Sequence, residues 1–485
     1  MKVNNNISRI FIFFIAFFIY MNSGKAQLSG SLFMLDNNIY SRIINPAIYN
    51  TEEKIVLAVP FFAGISVMNS GNFRLSDVVE PVNSGKYSFK FDKLADAGNK
   101  THQTGQTAVL PLFFLSIPVV EGAISFYWNE FINTGIAVPG NAHLWVINDN
   151  SSSNYRNFYM DVGLKACWNH EIAVAISTRI NKTLKAGGRV KLLFNEVFAE
   201  LNNWNYAVET ALNGDEVLLS SYGNAFVSAP VIFNKDRMGL VQGVELEEVM
   251  AKSLLKFQNP GLAFDFGLTK EINRFGSFDL IIRNLGVVWL RRNTFSLFQD
   301  KDFNYRGMDI SNSLNPENED YISTLEVMLN TKRNFKNVFR PSLDSVQTVR
   351  TLSPKLNMNY KYKISDSFSA GIGNQTDYNG GLLWNTLSVG ALYTTNHLQF
   401  SSSLSLHGAE SVSVGGGLQW TNDYAQIFLF TDNFKAFHYP ANEKSFSITF
   451  GMNLLLNQNR KWDIFNKSTN RRGKNRTTLP FFDKQ

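Results

Sequence analysis

Between Pro354 and Leu456 the chain alternates apolar and polar residues with a period of two. In Lys355 to Ile364 one face is Leu356, Met358, Tyr360, Tyr362 and Ile364, and the other is Lys355, Asn357, Asn359, Lys361 and Lys363. Only an extended strand puts every second side chain on one face. The pattern returns in Leu398 to Leu406, Ser411 to Trp420 and Phe446 to Leu456, and more loosely in Ser367 to Asn374, Trp384 to Thr394 and Ala425 to Asp432. Alternating segments of about ten residues separated by turns are the signature of a transmembrane β-barrel. A soluble β-sandwich alternates too. Its strands are shorter, about five or six residues, and its outer faces carry more charge than the Ser, Gly, Thr and Asn found here.

The connections alternate as well. Ser365-Asp366, Thr395 to His397 and Asn422-Asp423 are short, whereas Gln375 to Leu383 and Asn433 to Ser445 are long. Short periplasmic turns and long external loops have this rhythm, and an even strand number returns both termini to the periplasm. Tyr362, Tyr393, Trp420 and Trp168 stand just before short turns, where an interfacial girdle of aromatics belongs.

Upstream, Met1 to Ala26 joins Lys2 and Arg9 to an apolar run, Ile10 to Tyr20, and then Ser23, Gly24 and Ala26. That order predicts a secretory signal peptide cut after Ala26. Gln27 to Glu53 is irregular around Asn45-Pro46-Ala47; Pro46 cannot take a central strand position, so the segment reads as a hatch inserted in the lumen or as a periplasmic lead. Strand candidates follow at Lys54 to Phe62, Ala108 to Ile117, Gly122 to Asn129 continued by Phe131 to Val138, Phe158 to Trp168, Glu171 to Ile180, Leu184 to Phe194, Trp204 to Thr210, Glu216 to Val227, Gly261 to Lys270 and Ser277 to Trp289. Asn169-His170 reads as a tight turn, and Phe73 to Gln106 as a long external excursion. Val244 to Phe257, with Leu246, Val249, Met250, Leu254 and Phe257 at helical spacing, predicts a short amphipathic helix. Arg291 to Ser353 is polar, with one helical patch over Pro316 to Asn330 that Asn315 is placed to cap; so long an insert caps the barrel or folds into its mouth.

The fold class is therefore all-β: an antiparallel, up-and-down transmembrane β-barrel of about 14 strands with an N-terminal hatch and long external loops. Residues 1–26 form the signal peptide, 27–53 the hatch, 54–456 the barrel with its insert 291–353, and 457–485 a basic periplasmic tail.

Composition narrows the partners. A hydrophobic fraction of 44% is ordinary because half of each barrel strand faces a polar lumen, and beyond the N-terminus there is no run of about 20 apolar residues to make a membrane helix. The formal net charge of +6 could suggest nucleic acid until it is located. Beyond Leu456, eight Lys and Arg oppose Asp463 and Asp483, which is the whole excess; with Lys2, Arg9 and Lys25 also set aside, the barrel is at −3. No basic face follows a phosphate backbone. The tail suits outer-membrane lipid head groups or a periplasmic protein, or is simply solvated. The single cysteine, Cys167, excludes an intramolecular disulfide framework and reads as a packed side chain.

Catalytic chemistry is not signalled. There is no Walker loop, GxGxxG after a strand, HExxH or GxSxG. The six histidines are scattered, and His170 and His397 sit in predicted turns, where a solvated role outweighs metal binding. The reading is of a protein that is not an enzyme and takes no cofactor.

The motifs FMLDNNIYSRIINPA (Phe33 to Ala47), GLAFDFGLTKEI (Gly261 to Ile272), FDLIIRNLGVVWLRRN (Phe278 to Asn293), LFTDNFKAF (Leu429 to Phe437) and FSITFGMNLLL (Phe446 to Leu456) together resemble a Gram-negative outer-membrane family known by a domain-of-unknown-function label. That family is similar to the long-chain fatty-acid transporter barrels and shares the early Asn-Pro-Ala with them and with gliding-motility and type IX secretion barrels. The resemblance implies 14 strands, a hatch at Gln27 to Glu53, and a plug position for Asn45, Pro46 and Ala47. It implies passage of a hydrophobic or amphipathic small molecule across the outer membrane, or an assembly role anchoring secretion, motility or surface-attachment partners. The basic tail departs from a barrel that stops at its last strand.

Overall fold

A computed structural model describes residues 31–35, 38–49, 54–60, 62–72, 74, 76, 79–82, 86–89, 102–138, 157–210, 216–237, 239–246, 257–307, 322–379, 382–407, 411–439 and 442–457. The expected signal peptide and basic tail, most of the Phe73 to Gln106 excursion and the Asn315 cap lie outside the described residues.

The chain begins its wall with β1 (Lys54–Ala58) and β2 (Ile65–Gly71), two halves of one broken strand, followed by a small hairpin, β3 (Val79–Val82) and β4 (Lys86–Phe89). Long strands follow: β5 (His102–Val119), β6 (Gly122–Val138), β7 (Asn157–Asn181) and β8 (Leu184–Thr210). Then come β9 (Val217–Ser228), a hairpin of β10 (Val231–Lys235) and β11 (Val241–Leu246), β12 (Pro260–Glu271), β13 (Gly276–Leu290) and β14 (Thr294–Tyr305). The chain returns through β15 (Ser342–Ser345), β16 (Thr348–Thr351) and β17 (Lys355–Lys363). It finishes with β18 (Phe368–Asn379), β19 (Leu382–Thr394), β20 (Leu398–His407), β21 (Ser411–Thr421), β22 (Ala425–Thr431) and β23 (Ser445–Asn457). Every pairing is antiparallel, and β1 and β2 pair with both β23 and β5, so the sheet closes on itself.

Which face points out settles the sandwich alternative. On β20 and β21 Leu404 and Val414 are 53% and 51% exposed, whereas Ser403 and Ser405 are 4% and 0% exposed. Apolar side chains cover the outside and polar ones fill the interior, the reverse of a soluble protein. This is a membrane barrel.

Among the described residues sixteen strands make the wall, where the sequence predicted about 14. The difference lies at β8. Its first half, Leu184 to Phe194, pairs with β12, and its second half, from Phe198, pairs with β9. The hairpin-like pairs β12–β13 and β9–β14 are thus stacked end to end between β8 and the descending segment β15–β16–β17. Strand β14 lies inside the stretch read as a polar insert, which is corrected accordingly.

Asn169-His170 is not a turn. Residues 157–181 form one strand, and both residues are 4% exposed. Trp168 therefore lies away from the short turns, its indole N–H donating to Glu130 Oε2 at 2.8 Å, whereas Tyr362, Tyr393 and Trp420 stay exposed beside short turns. The helix of the insert is α2 (Thr324–Val338), later than the predicted Pro316 to Asn330. It starts where the Ser323 hydroxyl accepts from the Glu326 N–H at 3.2 Å, the Ser-x-x-Glu spacing of a capping box. Of the helix expected at Val244 to Phe257, the first three residues belong to β11, Phe257 has a positive φ of 44°, and the rest lies outside the described residues.

Residues 31–35 and 38–49 lie inside the ring. A 3-10 turn (Leu32–Met34) precedes α1 (Ile39–Ile44), which Asn38 caps reciprocally with Ser41. Leu32, Leu35, Ile39 and Tyr40 pack against the inward aromatics Phe114, Tyr127, Phe428 and Phe430. The helix ends at Asn45 because Pro46 follows.

Candidate functional site

The luminal segment is fixed by the residues after α1. The Asn45 Oδ1 accepts from the Ala47 N–H at 2.9 Å, its Nδ2 donates to Thr269 Oγ1 at 3.3 Å, and the Ser177 hydroxyl donates to the Pro46 carbonyl at 2.6 Å. The wall makes room with glycine: a Cβ on Gly187 would sit 2.0 Å from the Pro46 oxygen, and one on Gly267 would sit 2.3 Å from Asn45 Oδ1. Asn45, Pro46 and Ala47 are all buried. They meet strands β7, β8 and β12 close to the short turns after Asn181 and Glu271.

Above this segment is a cavity of about 130 Å³. Its floor is apolar and comes from Leu32, Tyr40, Ile43 and Ile44; its wall carries the cationic side chains Lys165, Arg189, Lys191, Arg283, Arg350 and Lys355, with Glu171 among them. Of these cations the sequence pattern named only Lys355, on the polar face of its strand. Their signal was there: Arg189 and Lys191 alternate with the lipid-facing Val190 and Leu192, 46% and 51% exposed, so charge recurs at inward positions where Ser and Gly would do.

The cations are organised around Asp265, fully buried. Arg189 reaches it with two donors, Nε at 2.7 Å and Nη2. Lys191 Nζ lies 2.8 Å from Asp265 and 3.2 Å from Glu171, and donates to Asn284 at 2.9 Å. The remaining Asp265 oxygen accepts from the Asn284 N–H at 2.7 Å. That N–H is available because β12 and β13 lose register opposite Asp265 and Asn284 takes a φ of 61°, a bulge that re-aims the strand. Arg189 Nη2 also donates to the Ile43 carbonyl at 2.5 Å, tying the charged wall to the luminal segment. Further round, Lys355 meets Asp377 at 2.7 Å. Cationic N–H groups remain in excess, since Arg189 Nη1, Arg283 Nε and Arg350 Nε have no hydrogen-bond acceptor among the described residues. Buried donors without partners are costly, and an anion entering the cavity would find them.

Arg42 of α1 is buried without an acceptor for Nε or Nη2 among the described residues and lies 5.9 Å from the Phe114 ring. Burial pushes its guanidinium down to about 10, with Tyr127 opposing that shift. Burial likewise raises the Tyr40 hydroxyl.

The two histidines expected in turns part company. His397 lies in an exposed turn, but His170 is buried on the outer face, its Nδ1 2.6 Å from Glu130 Oε1 and its Nε2 3.4 Å from Glu196 Oε1, under the Phe257 ring. The solvated-turn reading of His170 is corrected: β7 runs straight through it. Cys167 lines the cavity, its Sγ accepting from Asn169 and Asn195.

Several solved barrels are similar in outline. A mutant of the monoaromatic hydrocarbon channel TodX is 10% identical, with 90% of this chain and 99% of that chain covered at a TM-score of 0.42. The Ralstonia pickettii toluene transporter TbuX is 9% identical, covering 86% and 92% at 0.38. A Pseudomonas aeruginosa FadL homologue is 9% identical, covering 90% and 97% at 0.38. No curated protein matches the sequence. Residues 46–432 match the model of a family of unknown function, DUF5723, and the chain belongs to that family.

Proposed function

We propose that this is an outer-membrane barrel that passes an amphipathic small molecule with an acidic head group, and that residues 31–49 are its hatch. The carrying observation is the cavity itself, with aliphatic and aromatic side chains of α1 as its floor and six cationic side chains in its wall. An apolar tail gains about 0.8 kcal/mol per buried CH₂, and an acidic head meets guanidinium donors that now lack acceptors. On this reading the residues in the lumen hold the acid and exclude water, and the protein works as a conduit.

The test is native mass spectrometry of the detergent-extracted full chain, with displacement of a fluorescent long-chain acid. Long-chain acids should displace the probe, alkanes of equal length should do so less well, and Arg283→Gln should weaken the acids alone. Failure to retain any lipophilic ligand, together with a co-purifying protein lost on deleting residues 460–485, would overturn this reading in favour of an assembly platform.

A further inference from the structure

We propose that the route from the cavity to the periplasmic side passes the hatch along β13 and β17, and that Leu32 and Ile44 are the side chains that close it. This rests on the passage reading above. A second, smaller space lies on the other side of the hatch, bordered by Leu32, Ile44, Asp279, Ile281, Asn359 and Lys361. Leu32 and Ile44 border both this space and the main cavity, so two aliphatic side chains are what separates them.

Elsewhere the described residues of the hatch are packed against or bonded to the wall. Towards β22 and β5, Tyr40 meets Phe428 edge-on at 5.7 Å, and Ile39 and Leu35 are fully buried in the same cluster as Phe114 and Phe430. Towards β21 and β22, Asn38 donates to Gln419 and Ser31 to the Thr431 carbonyl. Towards β7, β8 and β12, the Pro46 carbonyl and Asn45 are bonded to Ser177 and Thr269, with Gly187 and Gly267 in contact behind them. Towards β18 and β19, Phe33 and Met34 fill the space beside Gly371, Gly373 and Gly390, which leaves the arc of β13 and β17 among the described residues. There Asp279 and Lys361 stand within a few residues of the short turns at Gly276 and Lys363, so the lower space lies at the end of the lumen where a head group would leave. Two branched aliphatic side chains across a narrow path form a gate that excludes water until they are parted. A rotamer change suffices for that, and the hatch can stay in place.

The test is single-channel conductance of the full chain in planar bilayers, in a Cys167→Ala background. Leu32→Ala with Ile44→Ala should produce discrete steps where the parent is silent. Ile39→Ala, a comparable truncation on the packed side, should not. As a second readout, Ile44→Cys should react with a small charged thiol reagent, and a bulky adduct there should abolish passage of a fluorescent long-chain acid. Equal conductance from Ile39→Ala, or silence of the double variant in a barrel that still shifts on heating in gels, would overturn the route. Ligand retention by the parent is scored separately: a parent that binds the acid while the double variant stays silent loses the route alone, and one that binds no acid while the double variant conducts loses the cargo alone.

Discussion

A single methyl group at Gly187 should expel the Asn-Pro-Ala of the proposed hatch. The alanine Cβ would stand 2.0 Å from the Pro46 oxygen, and ordinary contact begins at 3.4 Å, so the carbonyl must retreat by 1.4 Å, the difference between the two. The Ser177 bond to that carbonyl, 2.6 Å long, does not survive such a shift. Losing a buried hydrogen bond costs about 1 kcal/mol, and overpacking costs about 1–3 kcal/mol more. A total of about 2–4 kcal/mol corresponds to a shift of roughly 30- to 1,000-fold in hatch docking. The control is next door: a Cβ on Gly188 meets nothing within 4 Å. In a Cys167→Ala background, Ala47→Cys should react with a membrane-impermeant thiol reagent much faster when Gly187→Ala is added, and at the parent rate with Gly188→Ala. Local opening read from labelling reports the same free energy. Equal protection of the two would refute the claim that close packing against β8 holds the hatch.

Other expectations are direct. Asp265→Asn leaves Arg189 and Lys191 without their shared carboxylate and should cost about 3–5 kcal/mol, seen as a lower urea midpoint of the folded barrel. Arg42→Met removes a buried guanidinium with two unaccepted donor atoms and should tighten the hatch by about 1–3 kcal/mol, slowing Ala47→Cys labelling; because burial holds Arg42 down at about 10, labelling of the parent should also slow as pH rises past that value, as its unfavourable charge is lost. Asn259→Ala removes the acceptor of the Arg291 and Arg292 N–H groups, at 2.8 and 2.9 Å, and should speed hydrogen exchange of those two amides, since about 2–4 kcal/mol of buried bonding is lost.

The membrane belt was legible because each strand there has one lipid face and one lumen face, so its period of two is written in hydrophobicity; Leu404 against Ser405 is enough to assign it. A plug position for Asn45-Pro46-Ala47 was implied only by resemblance, because the contacts that hold these residues come from Gly187 and Gly267 on distant strands. The charged wall was not read. Arg189, Asp265 and Lys191 meet across strands β8 and β12 at a bulge, and no local spacing announces that contact. Errors at β7 and β8 came from the opposite cause: His170 beside Asn169 looks like a turn, but His170 Nδ1 meets Glu130 on the outer face and Asn169 accepts from Asn195 on the inner one, so the strand continues.

Strand reading also weakened where the wall leaves the bilayer, and the reason is physical. The 25 residues of β7 at about 3.3 Å each and a tilt near 40° rise about 60 Å, more than twice the roughly 25 Å apolar band. Beyond the band, lipid no longer covers outward side chains, so the chain must cover them itself. The odd-numbered positions of β9 and β14 face outward there, because Phe198 lines the cavity and pairs with Ser228. Phe295 is met by Phe233 of β10 at 5.1 Å, and Phe303 by Phe335 of α2 at 6.1 Å. Both segments that broke the alternation therefore do what the lipid does lower down. They read as interruptions because their apolar residues answer to a sheet face and not to a membrane, and the strands beneath them lose the one-sided pattern for the same reason.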